Sequence, residues 1–215
     1  MFAQASPQVT RLLPVGVDMV ENAEELSAIH RPDCAAAIWR RPSLSVVQPW
    51  IEKLKPEQLP NTRVILPIES VRDAVGQICD SKGTPDCKER SCLIDDIAAL
   101  ADVFSGLMTA RYLRLRLDVV TTNACRKFHV DAVTARLICT YRGTGTQYGS
   151  GHDKTDPKRV FTVPTGAPVL LRGTQWSEHP RSGLVHRSPP IQGTGETRLL
   201  LVLDPVPDPR SGLEA

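Results

Sequence analysis

The segment KFHVDAV places His129 and Asp131 two positions apart, directly ahead of a stretch, ARLICTYRG, that reads as β-strand. On a strand, residues i and i+2 face the same side, so this spacing lets an imidazole and a carboxylate aim at one point. Two ligands do not make a metal site. A third is available downstream in GLVHRSPP, where His186 ends a short apolar run. Two histidines and one carboxylate on one face of an ion leave its opposite face open to other molecules.

That open-faced set is the one used by non-haem Fe(II) oxygenases, in which dioxygen and a chelating cosubstrate take the free positions. The next run, TRLLLVLD, begins with Arg198, a permanently charged planar guanidinium suited to clamping a carboxylate with two hydrogen bonds. Arg198 shares a strand face with Leu200 and Val202, and a charge on an apolar side requires an anion. The alternatives are a protein carboxylate such as Asp118 or Glu196, or exposure at the strand start. Tyr141 is a candidate hydroxyl donor to the cosubstrate carboxylate, or a packing residue of the sheet.

Other polar residues carry less. Cys125 is near enough to His129 to enter a metal shell as thiolate, but a small buried cysteine is the simpler reading. His152 and Asp153 are adjacent, so on an extended chain they point apart. Cys79, Cys87 and Cys92 lie close together in CDSKGTPDCKERSC without a C-x-x-C knuckle, which argues against a structural zinc there. RGTGTQYGSG lacks the lysine and Ser/Thr of a phosphate loop. The stretch 143–158 is expected to be mobile and to border the cavity, either as a lid with Gln147 and Tyr148 at its base or as a plain flexible connector.

These residues need elements to hold them. ERSCLIDDIAALADVFSGLMTA has Ile94, Ile97, Ala98, Ala101, Phe104, Leu107 and Met108 at helical intervals, predicting a helix that packs flat on a sheet. RYLRLRLDVV alternates leucine with arginine and begins that sheet. From there the pattern is strand and turn with no helical period, which argues for an antiparallel sandwich or barrel preceded by a helical layer. Residues 1–110 read as short helices and strands, with Asn22 and Glu25 as one cap pair and Ser70 and Asp73 as another.

A chain of 215 residues with 41% hydrophobic content suits one domain, residues 1–215. A net charge of +2 without a basic, aromatic-interleaved block gives no support for nucleic-acid binding. The N-terminus does not read as a secretory signal, and no segment is long and apolar enough to span a bilayer. A soluble, cytoplasmic protein with six thiols is expected.

The order H-x-D, histidine, arginine on successive strands resembles the Fe(II)/2-oxoglutarate-dependent oxygenase superfamily over residues 111–204. The resemblance implies an α+β chain whose C-terminal half is a double-stranded β-helix, a cupin-like jelly roll, with the helical N-terminal half packed on it. It also implies that His129, Asp131 and His186 hold Fe(II) and that Arg198 binds the far carboxylate of 2-oxoglutarate. AIWRR, CRKFHVD, TYRGTGTQY, LVHRSPP and ETRLLLVLD are similar to a bacterial family catalogued as a domain of unknown function. Association of that family with zinc-responsive operons and metallochaperone genes implies a metal connection and names no substrate.

Three readings follow. The first is an oxygenase acting on an unidentified small molecule or peptide. The second is a non-redox zinc- or iron-binding cupin-like protein of metal homeostasis, since the same ligands suit zinc. The usual cupin H-x-H with a following glutamate is absent from KFHVDAVTARL. The third is a protein-interaction module without metal.

Overall fold

The computed structural model describes residues 16–207, apart from 43, 152–155 and 178–182. Its framework is a seven-stranded sheet. β4 (Tyr112–Val120) forms because Leu113, Leu115 and Leu117 alternate with polar residues and are fully buried, the signature of a strand with one face on a core. β10 (Arg198–Val206) and β5 (Ala135–Arg142) are instead buried almost throughout. They lie at the centre of the sheet and are covered on both sides.

β1 (Val17–Val20), β2 (Ala36–Trp39), β3 (Thr62–Pro67) and β8 (Pro168–Arg172) complete the order β1-β2-β8-β5-β10-β4-β3. Only the β1–β2 pair is parallel. The N-terminal half therefore supplies both edges of this sheet as well as the helices.

α1 (Val47–Ile51), α2 (Val71–Ser81) and α3 (Lys88–Met108) cover one face. α3 buries Leu93, Ile97, Leu100, Ala101 and Phe104 against Leu113, Leu115, Leu137, Leu199, Leu201 and Leu203. Each of these larger side chains contributes about 1.5 to 3 kcal/mol on burial. Left-handed Thr109, at φ 48°, ends α3. At residues 24–30 the chain forms a 3-10 helix, where Asn22 Oδ1 accepts from the Glu25 amide. Ser70 makes no cap bond to α2, so that cap pair is corrected.

The opposite face of the large sheet meets a second sheet of β6 (Gln147–Ser150), β7 (Phe161–Thr162) and β9 (Leu184–Arg187), in the order β7-β6-β9. Ile138, Val169, Leu171, Leu200 and Val202 pack there against Tyr148, Val163 and Leu184. A largely antiparallel sheet facing a small antiparallel one, with helices on the outside, makes an α+β jelly roll. The glycine-rich stretch expected as a lid is thus partly β6, the central strand of the small sheet. Tyr148 is buried against the main sheet and stacks on Phe161. Gln147 accepts from Arg187 Nε.

Candidate metal centre

The H-x-D segment is not the start of β5. His129 forms a single antiparallel bridge with His186 on β9, each donating its amide to the other's carbonyl at 3.0 Å. Directly opposed residues project to the same side, so both imidazoles stand together with ring centroids 4.7 Å apart. The chain then leaves the small sheet, turns through residues 131–134, and joins the large sheet at Ala135. The expected strand face shared by His129 and Asp131 is replaced by this crossover between sheets.

The turn is clamped by the end of β8. Thr174 donates to the Asp131 carbonyl, Gln175 to that of Val133, and Gly173 to that of Thr134. A Cβ on Gly173 would lie 1.9 Å from the Val133 oxygen, so the approach requires glycine.

Asp131, His129 and His186 offer ligand atoms within 4.8 Å of one another. Asp131 Oδ2 lies 2.9 Å from His186 Nε2, and Oδ1 lies 3.5 Å from His129 Nε2. Oδ2 nevertheless lacks a hydrogen bond of good geometry. His129 Nδ1 sits 2.8 Å from the Lys127 carbonyl. A proton on Nδ1 donates there and leaves the Nε2 lone pair facing the carboxylate. Three convergent lone-pair donors, one of them an orphaned buried oxygen, fit a divalent ion. His/His/Asp suits Fe(II) with an open face and also zinc.

Electrostatics keep the carboxylate ionised and, in metal-free protein, favour a proton on His129 that a metal would displace. Burial alone would raise the Asp131 carboxyl, but contacts from His129 and His186 and the nearby Arg136 charge hold it below its usual range. The His129 imidazole is pushed up, chiefly by its contact with Asp131, against the opposing effect of burial.

Sequence reasoning did not single out Arg136 or Asp204. Arg136 Nη1 contacts Asp131 Oδ1 at 2.5 Å, while its Nε and Nη2 fork onto Asp204 at 2.6 and 2.9 Å. Asp204 is 1% exposed. Arg136 thus holds one oxygen of Asp131 and leaves the other to the ligand cluster. Asp204 was visible as a charge inside an apolar run, a signal that a buried partner exists.

Arg198 lies on the face of β10 that meets the small sheet, with Leu200 and Val202. It is fully buried, and Nε donates to the Thr144 carbonyl at 2.6 Å. Nη1 and Nη2 have no partner. Burial lowers its pKa to about 10, opposed by Glu196. Glu196 itself accepts from the amide and hydroxyl of Thr144. Arg172, also buried, instead donates to the carbonyls of Ile29 and Arg31. Among the described residues Arg198 therefore presents two donors with nothing to receive them.

Tyr141 is placed on the other side of the sheet. It is buried in the helix-side core, and its hydroxyl donates to Asp96 of α3 at 2.6 Å, a carboxylate also forked by Arg41. The expected contact of Tyr141 with a cosubstrate is corrected on that ground. Cys125 is exposed rather than buried, and its carbonyl accepts from the Ser188 amide. Cys79 lies on the buried face of α2, and among the described residues Cys79, Cys87 and Cys92 form no metal-binding group. His152 and Asp153 lie outside the described residues. No described helix is long and apolar enough to cross a membrane.

A model of the family described as "Protein of unknown function (DUF1826)" matches residues 21–204. None of the curated proteins matches the chain in sequence. The structure is similar to that of dioxygenase for auxin oxidation 1 from Arabidopsis thaliana in its 2-oxoglutarate binary complex. The TM-score is 0.53 at 10% identity, covering 93% of this chain and 97% of that one. The dioxygenase for auxin oxidation from rice is similar with a TM-score of 0.50 at 11% identity, covering 92% and 84%. At such identities the likeness is one of fold.

Proposed function

The chain belongs to the DUF1826 family of proteins of unknown function, and we propose from its site that it is an Fe(II)- and 2-oxoglutarate-dependent oxygenase acting on an as yet unidentified small molecule or peptide. The observation that carries this reading is Arg198. A guanidinium buried with both terminal nitrogens unpaired costs several kcal/mol, and a resident carboxylate ligand removes that cost. The 2-oxoglutarate in the Arabidopsis dioxygenase structure is a ligand of this chemistry on this fold.

Each residue then has a task. His129, Asp131 and His186 hold the metal, with the Lys127 carbonyl fixing one imidazole's tautomer and Arg136 holding the non-ligating carboxylate oxygen. Arg198 receives the distal carboxylate of 2-oxoglutarate. Ile138, Leu200 and Val202 on the same face exclude water from the space between. Fe(II) held there with 2-oxoglutarate would supply oxidation by dioxygen, one oxygen atom going to succinate as carbon dioxide leaves and the other to the hydroxylated substrate.

The test is an anaerobic titration of Fe(II)-loaded protein with 2-oxoglutarate, followed by the visible charge-transfer band of the chelate. Arg198→Leu should retain Fe(II) and lose about 2 to 5 kcal/mol of 2-oxoglutarate binding. If the wild-type protein binds no 2-oxoglutarate, or the variant binds it equally well, the site is a non-redox zinc or iron centre of metal homeostasis instead.

A further inference from the structure

The inward face of the large sheet extends beyond the small sheet that covers its centre. The apolar layer between the sheets includes Val202 of β10 and reaches Val120 of β4, and among the described residues none of β3 joins it. On that uncovered part the register sets Arg63 of β3 opposite Arg116 of β4, and Ile65 opposite Arg114. Arg116 and Arg114 are in turn opposite Val202 and Asp204 of β10. Opposed residues share a face. Arg63, Arg114 and Arg116 therefore stand on the side that carries Asp204, Leu200 and Arg198.

These arginines are poorly compensated. Arg114 Nη1 is 3.8 Å from Asp204, which already accepts two hydrogen bonds from Arg136. Arg116 Nη1 is 3.8 Å from Asp118, and its buried Nε has no partner. Arg63 is exposed. Like charges directly opposed across two strands are destabilising, so the Arg63–Arg116 pair is unfavourable unless an anion lies between the two guanidiniums. Exposed Ile65 adds an apolar step beside them.

The strip is also tied to the metal ligands. Asp131 contacts Arg136, Arg136 forks onto Asp204, and Asp204 faces Arg114. Neighbouring strands are about 5 Å apart, so the strip begins one strand beyond the buried aspartate that anchors the centre.

We propose that Arg63, Arg114 and Arg116 form a binding site for a phosphate or carboxylate group, and that the substrate brought to the metal centre is an anion held through that group. That the anion is a substrate rests on the oxygenase reading; the anion site stands on the arginines alone. Each guanidinium presents a planar fork that fits two oxygens of either group. Two forks opposed across β3 and β4 with a third alongside suit one oxyanion better than an extended polyanion.

The test uses metal-free protein, so that no probe is held by the ion, and calorimetry with inorganic phosphate and, separately, glutarate. One probe or both should bind, with affinity falling about tenfold for each of Arg63→Gln and Arg116→Gln and weakening with added sodium chloride. Tighter phosphate binding identifies a phosphorylated substrate and tighter glutarate binding a carboxylic acid. Arg198→Leu should leave phosphate binding unchanged, and the glutarate titrations are run in that variant because Arg198 is itself placed as a carboxylate receptor. If neither probe binds, or if binding is lost in Arg198→Leu and kept in the other two variants, the proposal falls. Arg63 is exposed and Arg116 is half-buried opposite Val202, so circular dichroism and urea denaturation of both variants verify folding. Failure of 2-oxoglutarate binding in the wild type would overturn the oxygenase reading while leaving the phosphate and glutarate result to stand or fall alone.

Discussion

Asp131 divides its two oxygens between different tasks. Oδ1 is held by Arg136 and Oδ2 faces the imidazole of His186. Arg136 also neutralises Asp204, so replacing it by leucine leaves a buried carboxylate without its partner. Arg136→Leu should destabilise the protein by about 3 to 5 kcal/mol, measured by urea denaturation. Metal affinity, measured by competition with a chelating dye, should fall about 10- to 100-fold. Adding Asp204→Leu should restore stability and leave metal affinity low. Recovery of both would show that Arg136 serves the fold alone. His129, Asp131 and His186 were legible as residue types in order. Arg136 was not, because its role depends on which turn of the chain reaches it.

At the scale of elements, β5 shows what alternation can and cannot reveal. Ala135, Leu137, Cys139 and Tyr141 share one face and pack on the helices, while Ile138 lies on the other. That parity can be read from the sequence, but not which face meets helices and which meets the second sheet. Tyr141→Phe removes a hydroxyl that donates to the Asp96 carboxylate, and should cost about 1.5 to 3 kcal/mol of stability. It should leave 2-oxoglutarate affinity unchanged, and a selective loss of that affinity would return Tyr141 to the cavity. β6 escaped recognition because its glycines mask the strand pattern. At Gly149 a Cβ would lie 2.4 Å from the Arg159 carbonyl oxygen, so the glycine answers to packing rather than to mobility.

For the whole molecule, the ligands gather where the chain crosses from the small sheet to the large one. His129 and His186 belong to the bridge beside the small sheet, whereas Asp131 is clamped by the end of β8 in the large one. Zinc or Fe(II) at about 100 times its dissociation constant should stabilise the fold by about 2.7 kcal/mol. For a chain of this size that raises Tm by roughly 5 to 10 °C, and Asp131→Ala should abolish the shift. The pH dependence has a definite sign. The folded His129 pKa lies above the ordinary 6.5, so its ion pair stabilises metal-free protein fully below that value and is lost as pH rises through the raised one. Metal needs the neutral imidazole. The Tm difference between metal-bound and metal-free protein should therefore widen with pH across that window, and a constant difference would exclude His129 as a ligand.

The amino-acid sequence by itself determined the long amphipathic helix, the alternating strand at 112–120, the strand-rich C-terminal half and the ordered set His129, Asp131, His186 and Arg198. These rest on local periodicity and residue chemistry, which neighbouring positions encode. Tertiary structure alone decided that the N-terminal strands close both edges of the large sheet. It also decided that H-x-D spans a crossover between sheets, and that three arginines from two strands stand on one face of the large sheet. Those outcomes depend on pairing and register between segments far apart in the chain, where the free energy of a contact resides in neither segment alone.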